Sequence, residues 1–330
     1  MNTLLEIKNL ATYFYTDAGV VKAVDGISFN VERGETLALV GESGCGKSVT
    51  ALSILRLIPD PPGKITNGEI IYGDTDLLLL RDNEMRAIRG KEISIIFQEP
   101  MTSLNPVLTI ERQLTEGMML HLRMTKKTAR VRAIELLKTV GMPDPENRLK
   151  QYPHQFSGGM RQRVMIAMAL SCNPRIIIAD EPTTALDVTT QAQILDMVKD
   201  LTQQMGISLI LITHNLGIVA RYADRINIMY SGKIVEQGVA SELYKDPRHP
   251  YTVGLLKSVP RLDQPKTEKL SPIKGQPPDL INLPHGCYFE PRCPNAIEDC
   301  SANFPPFLTI NQGHKSACWI AGHLNDNIEG

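Results

Sequence analysis

The sequence predicts an α/β sandwich in which a mainly parallel sheet carries a phosphate-binding loop. Three observations lead there. Short uninterrupted apolar runs, TLALV at 36–40, IIIAD at 176–180 and SLILIT at 208–213, suit strands buried on both faces of a mainly parallel sheet. Amphipathic stretches alternate with such runs, and strand–helix alternation of this kind builds α/β layers. The run TLALV leads directly into Gly41-Glu42-Ser43-Gly44-Cys45-Gly46-Lys47-Ser48, which fits G-x-x-x-x-G-K-[ST], with a helix expected next.

Taken in order, strands are expected at 4–8, 27–31, 36–40, 69–72, 93–97, 175–180, 208–213 and 226–230. Helices are expected at 47–58, 111–121, 128–140, 158–172, 189–204 and 215–222. The stretch 189–204 aligns Ile194, Met197, Val198 and Leu201 with Met205 on one stripe, and Gly206 can end it. From about residue 245 the text turns loop-rich. Twelve of the 22 prolines lie between Pro247 and Pro306, which marks an appendage with few long elements.

The chain has 330 residues, enough for two domains at roughly 150 residues each. Its 35 Lys+Arg balance 36 Asp+Glu for a net charge of −1, which argues against a strongly electrostatic nucleic-acid binder. No apolar run approaches the roughly 18 residues of a transmembrane helix. The start, MNTLLEIKNL, lacks the pattern of a secretory signal, so a cytosolic protein is expected, free or docked on a membrane protein.

The chemistry of the motifs follows from their residue types. Glycines in the 41–48 loop let backbone N–H groups curl around phosphate oxygens, and the following helix N-terminus adds partial positive charge. Lys47 suits the β- and γ-phosphates and Ser48 suits Mg²⁺. The run 176–180 ends in two carboxylates. Asp180 is placed to hold Mg²⁺, and Glu181 to polarise an attacking water. Cys45, beside a helix N-terminus and Lys47, is expected to favour thiolate and to be alkylated unless ATP protects it.

The segment Phe156-Ser157-Gly158-Gly159-Met160 opens another helical run and resembles the L-S-G-G-Q signature of the ATP-binding cassette (ABC) ATPases, with Phe156 and Met160 departing at the flanks. The resemblance implies an ABC-type P-loop nucleotide-binding domain over 1–260, with a helical subdomain at about 100–160; the loop-rich, cysteine-bearing remainder, 261–330, is expected to form a small C-terminal metal-binding domain. It also implies roles. Glu181, His214 and Gln98 are catalytic, and Mg²⁺ is held through Ser48, Gln98 and Asp180. ATP is bound by Phe14 or Tyr13 and by Ser43, Gly44, Cys45, Gly46, Lys47, Ser48 and Val49. Ser157, Gly158, Gly159 and Asp187, the last within Ala185-Leu186-Asp187, act in trans on the nucleotide of an opposing subunit.

Gln98-Glu99-Pro100-Met101-Thr102-Ser103-Leu104-Asn105-Pro106, Tyr152-Pro153-His154-Gln155 and Arg248-His249-Pro250-Tyr251-Thr252 are similar to the oligopeptide/dipeptide importer ATPases. That similarity implies pairing with a second homologous ATPase or with itself. It also implies two transmembrane permease subunits, an extracytoplasmic peptide-binding protein acting indirectly, and a peripheral place on the cytoplasmic face of the membrane. The competing classes are a soluble cassette ATPase of DNA repair or translation, and import of a non-peptide solute such as nickel. The interval from Lys47 to Ser157 is too short for the coiled coils of repair relatives, and a single cassette is present.

Cys287, Cys293, Cys300 and Cys318 follow C-x5-C-x6-C-x17-C in a segment that can bury little core. A metal centre would supply stability there. The tight C-x2-4-C pairs of structural zinc are absent, while Cys293-Pro294 resembles ferredoxin-type ligation, so a [4Fe–4S] cluster is favoured over Zn²⁺ or no metal. The basic run at 123–132 fits a solvated helix start better than a contact with lipid headgroups.

Overall fold

The computed structural model describes residues 2–183, 187–258 and 272–322, so Ala185 and Leu186 lie outside the described residues. The strands in chain order are β1 (Thr3–Thr16), β2 (Gly19–Glu32), β3 (Thr36–Val40), β4 (Gly63–Tyr72), β5 (Thr75–Asp76) and β6 (Ile93–Ile96). Then come β7 (Ile176–Asp180), β8 (Ser208–Thr213), β9 (Arg225–Tyr230), β10 (Lys233–Val239), β11 (Leu308–Asn311) and β12 (His314–Ser316). An antiparallel sheet is ordered β2-β1-β4-β5, and a larger mixed sheet β11-β12-β10-β9-β3-β8-β7-β6. Within the larger sheet, β9, β3, β8, β7 and β6 run parallel, as the apolar runs predict.

Those runs are continuous because both faces are covered. Alternate residues of β7 serve two cores. Ile177 and Ala179 join a cluster with the helices Ile110–His121, Lys126–Thr139 and Gly158–Leu170. Ile176 and Ile178 join a cluster with Leu5, Ile27 and Ile70 of the antiparallel sheet and with Ile54 of the helix Lys47–Ile54. A period-2 strand filled with apolar side chains therefore satisfies two different layers at once.

Element boundaries depart from expectation in instructive places. The helix after the phosphate loop ends at Ile54, not at 58, because Arg56 takes a left-handed φ of 50° and Pro59 disfavours helical backbone at residue 58. The long helix Val188–Met205 ends as expected on Gly206, at φ 65°. Strands β1 and β2 are 14 residues each, far longer than the short apolar segments expected of them, since their half-polar ends pair with each other along one hairpin. The helix Pro250–Lys257 and the strands β10, β11 and β12 were not expected.

The proline-rich C-terminal residues are tied to the larger sheet. β12 pairs with β10, and β11 pairs with β12, so this segment adds two strands to the sheet edge. Cys287, Tyr288, Phe289 and Cys300 share one apolar cluster with Ala38 and Val40 of β3, Tyr230 and Tyr251. Beneath the added strands, Glu236 and His314 are both fully buried and pair at 2.8 Å. Glu236 also accepts the backbone N–H groups of Arg248 at 2.6 Å and His249 at 3.1 Å. This buried carboxylate interrupts the apolar run of β10, which is why the strand was hard to see.

Removing one partner of a buried pair strands the other. His314→Ala is expected to destabilise the chain by about 1–3 kcal/mol, measured by urea denaturation. A change below about 0.5 kcal/mol, the range of neutral surface substitutions, would show that the pair does not anchor β12.

Candidate functional site

Parallel pairing decides where the polar strand ends meet. Val40 of β3 is in register with Thr213 of β8, Asp180 of β7 with Ile212, and Ile96 of β6 with Ala179. The residues that follow these four ends therefore emerge along one edge, the carboxyl edge at which open α/β sheets bind ligands.

The loop from β3 curls tightly because its backbone has no room to do otherwise. A Cβ on Gly41 would lie 2.1 Å from the Met229 carbonyl oxygen, and one on Gly46, at φ 103°, 2.1 Å from the Ala23 carbonyl oxygen. Between them Ser43 and Gly44 are exposed, with open space above Gly44. Lys47 is buried and donates through Nζ to the carbonyls of Gly41 and Glu42, both at 2.8 Å. Its ammonium thus closes the loop on itself with its charge at the loop's centre. Val49 leans its side chain on the apolar core, so any ligand contact there falls to its backbone.

The two carboxylates expected at the end of β7 do different things. Asp180 is buried and accepts a hydrogen bond from Ser48 Oγ at 3.0 Å. Burial holds its carboxyl above the usual range against the Ser48 hydrogen bond, with the charge of Glu181 adding to the rise and that of Lys47 opposing it. A hydroxyl and a carboxylate oxygen side by side suit Mg²⁺, which keeps most of its shell as water and phosphate. Glu181 sits at a positive φ of 43°, a conformation non-glycine residues rarely hold, with its N–H bonded to the Ile212 carbonyl at 3.0 Å.

Three of the expected site residues converge on Glu181. Gln98 Nε2 donates to Oε2 at 3.1 Å, His214 Nδ1 lies 3.1 Å from Oε1, and Lys47 Nζ lies 4.0 Å from Oε1. His214 is about half exposed, at 54%, so it lies at the mouth of the site. The strained backbone aims one carboxylate at the phosphate-loop lysine while a histidine and a glutamine flank it.

The remaining candidates sit elsewhere. Ser157 caps the helix Gly158–Leu170 through a hydrogen bond from Met160 N, and Ser157 and Gly158 are exposed. Asp187 caps the helix Val188–Met205, accepting from Thr190 N at 3.0 Å and Thr190 Oγ1 at 2.7 Å. The two helix starts adjoin, since a Cβ on Gly159 would lie 3.3 Å from Thr190 Cγ2. Phe156 is buried in the core beneath. Tyr13 and Phe14 have different surroundings. Tyr13 donates to Asp25 at 2.6 Å, whereas the Phe14 ring crowds Gly63.

Cys45 corrects an expectation. Reasoning from the helix N-terminus favoured thiolate, but the side chain is buried, and burial pushes its thiol up, against the pull of the Lys47 ammonium. Its Sγ fills space beside Gly41 and receives the Lys47 ammonium at 3.8 Å.

Sequence reasoning also missed several groups around the loop. Arg292 pairs with Glu42, Tyr251 Oη accepts from Glu42 N, and Tyr288 donates to Asp25. Tyr251 falls within the importer-like run 248–252, yet nothing local in the sequence ties these three residues to the loop, because their partners are up to 263 residues away.

The four clustered cysteines do come together. Cys287, Cys293, Cys300 and Cys318 line one small cavity with His249 and Trp319. Among the described residues, however, no group of three or more His, Cys, Asp or Glu side chains is placed to hold a metal ion. Burial pushes the thiol of Cys287 up to about 11 and that of Cys318 up to about 12.

Comparison with known proteins identifies the family. The ABC transporter family matches residues 24–184, and the family described as oligopeptide/dipeptide transporter, C-terminal region, matches residues 235–300. The chain is 54% identical over 97% of either chain to the oligopeptide transport ATP-binding protein AppD of Bacillus subtilis (strain 168). It is 53% identical to the dipeptide transport ATP-binding protein DppD of the same organism, over 97% of this chain and 95% of that one. Among solved structures, a dimeric post-hydrolysis state of the ATP-binding cassette MJ0796, bound to ADP and Pi, superposes with a TM-score of 0.64. That match is 30% identical and covers 72% of this chain and 98% of the other. The chain belongs to the ABC transporter family and is an ATP-hydrolysing cassette.

Buried as it is, Cys45 is expected to be alkylated at least about tenfold more slowly in the folded chain than in urea, read by mass spectrometry of the 41–48 peptide. Equal rates would mean that the loop opens freely.

Proposed function

We propose that this chain is the ATP-hydrolysing subunit of a peptide importer, acting at the cytoplasmic face of a membrane as one of two cassettes beneath two permease subunits. The observation that carries the catalytic reading is the convergence of Gln98, His214 and Lys47 on the Glu181 carboxylate. The peptide cargo is supported by the relatives named for oligopeptide and dipeptide transport and by the match of residues 235–300. An extracytoplasmic peptide-binding protein would deliver that cargo to the permeases.

In this reading the exposed amides around Gly44 take phosphate oxygens, and Lys47 gives up the carbonyls of Gly41 and Glu42 for the β- and γ-phosphates. Ser48 and Asp180, already 3.0 Å apart, would hold Mg²⁺, whose charge would offset that of the phosphates. Glu181 accepts the proton of the attacking water, while Gln98 and His214 orient that water and the γ-phosphate. Phe14 or Tyr13 stacks on the adenine.

Ser157, Gly158 and Asp187 stand at exposed helix starts, and they serve the nucleotide of a second cassette, whether a homologue or another copy. A dimer is supported by the dimeric solved cassette, and ATP bound between two cassettes makes closure depend on nucleotide. Permease docking is supported by Met101 and Val107, 74% and 75% exposed just beyond Gln98. No described helix is long and apolar enough to cross a membrane.

We propose further that the four C-terminal thiols hold a [4Fe–4S] cluster, with Zn²⁺ as the alternative. The four cysteines line one small cavity, and their spacing lacks the tight pairs of structural zinc. A [4Fe–4S] cluster held by the four cysteines would staple the segment.

Glu181→Gln is expected to keep ATP binding and lose at least about 100-fold in turnover, measured by steady-state phosphate release. Unchanged turnover would remove Glu181 as the base. Anaerobically purified chain is expected to absorb near about 400 nm with iron and sulfide present. A colourless preparation containing zinc would replace the cluster by Zn²⁺.

A further inference from the structure

Glu42, the second residue of the phosphate loop, is gripped from every side. Its N–H donates to Tyr251 Oη at 2.9 Å and its carbonyl accepts from Lys47 Nζ at 2.8 Å. Its carboxylate meets Arg292 at two points, Nη1 to Oε2 at 2.7 Å and Nη2 to Oε1 at 3.0 Å. The Arg292 side chain is only 4% exposed. Its Nη1 also donates to Tyr230 Oη at 3.2 Å, its Nε donates to the Lys274 carbonyl at 3.1 Å, and its guanidinium lies over the rings of Tyr230 and Phe289. Only arginine offers a planar fork for such a site, since lysine presents a single point of charge.

The same C-terminal segment touches the loop region again. The Leu280 carbonyl accepts from Lys22 N at 3.1 Å, and Pro277, Pro278 and Leu280 line a small cavity together with Ser43, Gly44 and Tyr230. Tyr288 shares the Asp25 carboxylate with Tyr13. The C-terminal segment is therefore built against the nucleotide site at three places.

We infer that Arg292 is a positioning residue of the nucleotide site, acting through Glu42, so that ATP affinity depends on the docked C-terminal segment. Two effects combine. Glu42 sets the curl of the loop, because Tyr251 holds its N–H and Arg292 its carboxylate. Its carboxylate also stands one residue from the exposed amides that receive phosphate, and an unpaired negative charge there repels a polyanion. Arg292 removes that charge and fixes the curl in one contact. The inference rests on reading 41–48 as the ATP site.

The test is a double-mutant cycle on the full-length chain, read by binding of a fluorescent ATP analogue and by steady-state hydrolysis. Arg292→Gln is expected to weaken ATP binding about tenfold, the size of one charge-assisted hydrogen bond, with the loss in KM and less than about threefold in kcat. Arg292→Lys should fall between Arg292→Gln and the unaltered chain. Glu42→Gln/Arg292→Gln should recover most of the affinity lost in Arg292→Gln, because both charges are then gone. A packing role alone predicts the reverse, a double variant at least as weak as Arg292→Gln. That result, or an Arg292→Gln affinity within twofold of the unaltered chain, overturns the inference. If Arg292→Gln fails to fold, the Lys variant and Glu42→Gln carry the test, and equal affinity in both and the unaltered chain overturns it. Lys47→Ala separates the two readings. If it binds ATP normally, the site assignment fails. If it loses binding while Arg292→Gln does not, only the role of Arg292 fails.

Discussion

The parallel register of β3, β8, β7 and β6 is the constraint on which the site depends. Neighbouring strand ends are aligned to within a residue, so a loop, two carboxylates, a glutamine and a histidine arrive along one edge with no further device. That register is held by side chains, not by the site itself. Ile176 and Ile178 face one core, and Ile177 and Ala179 face the other. A slip of one residue would exchange the two sets and move Asp180 out of reach of Ser48. The apolar runs most visible in the sequence are thus the same feature that positions the polar chemistry.

Local strain then refines what register brings together. Glu181 follows the last residue of β7 and turns at φ 43°, held by its bond to the Ile212 carbonyl of the neighbouring strand. Without that turn the carboxylate would continue along the strand direction, away from Lys47. Gly41 and Gly46 answer the same demand from the other side, giving the loop a path too close to Met229 and Ala23 for any side chain. The cost of these conformations is met by the packed sheet beneath, so the edge is stiff where the chemistry needs a fixed geometry.

How much of this could be read in the sequence follows from the range of each interaction. β3 and β8 were legible to the residue, because an uninterrupted apolar run bounded by polar residues carries its own ends. Lys47, Ser48, Asp180 and Glu181 were legible because their chemistry needs fixed neighbours, and Gln98 and His214 only through their order relative to those. β10 was not, since Glu236 is buried among apolar residues by a partner 78 positions away. Arg292 was not, since Glu42 is 250 positions away. Cys45 was misread for a related reason. A helix N-terminus and a lysine are local and visible, while the burial that outweighs them is made by Gly41 and the core.

The proline-rich segment shows what such long-range contacts achieve. Taken alone it has few apolar residues, and a metal was expected to compensate. In the fold it also borrows core from the cassette: Phe289 sits among Tyr230, Tyr251 and His249, and β12 lies on β10 over a buried Glu236–His314 pair. Tyr230 and Tyr251 among those anchors belong to elements that also shape the nucleotide edge. Tyr230 ends β9 beside β3, Tyr251 holds Glu42, and Arg292 adjoins Cys293 in sequence. A change in the state of the four thiols would therefore reach the phosphate loop through two covalently adjacent residues and one ion pair. Were the state of the thiols to bias the placement of Glu42, a nucleotide bound at the loop would by reciprocity bias the thiols by the same free energy. The segment needs no ligand-binding chemistry of its own to act on the ATPase; its docking is the coupling.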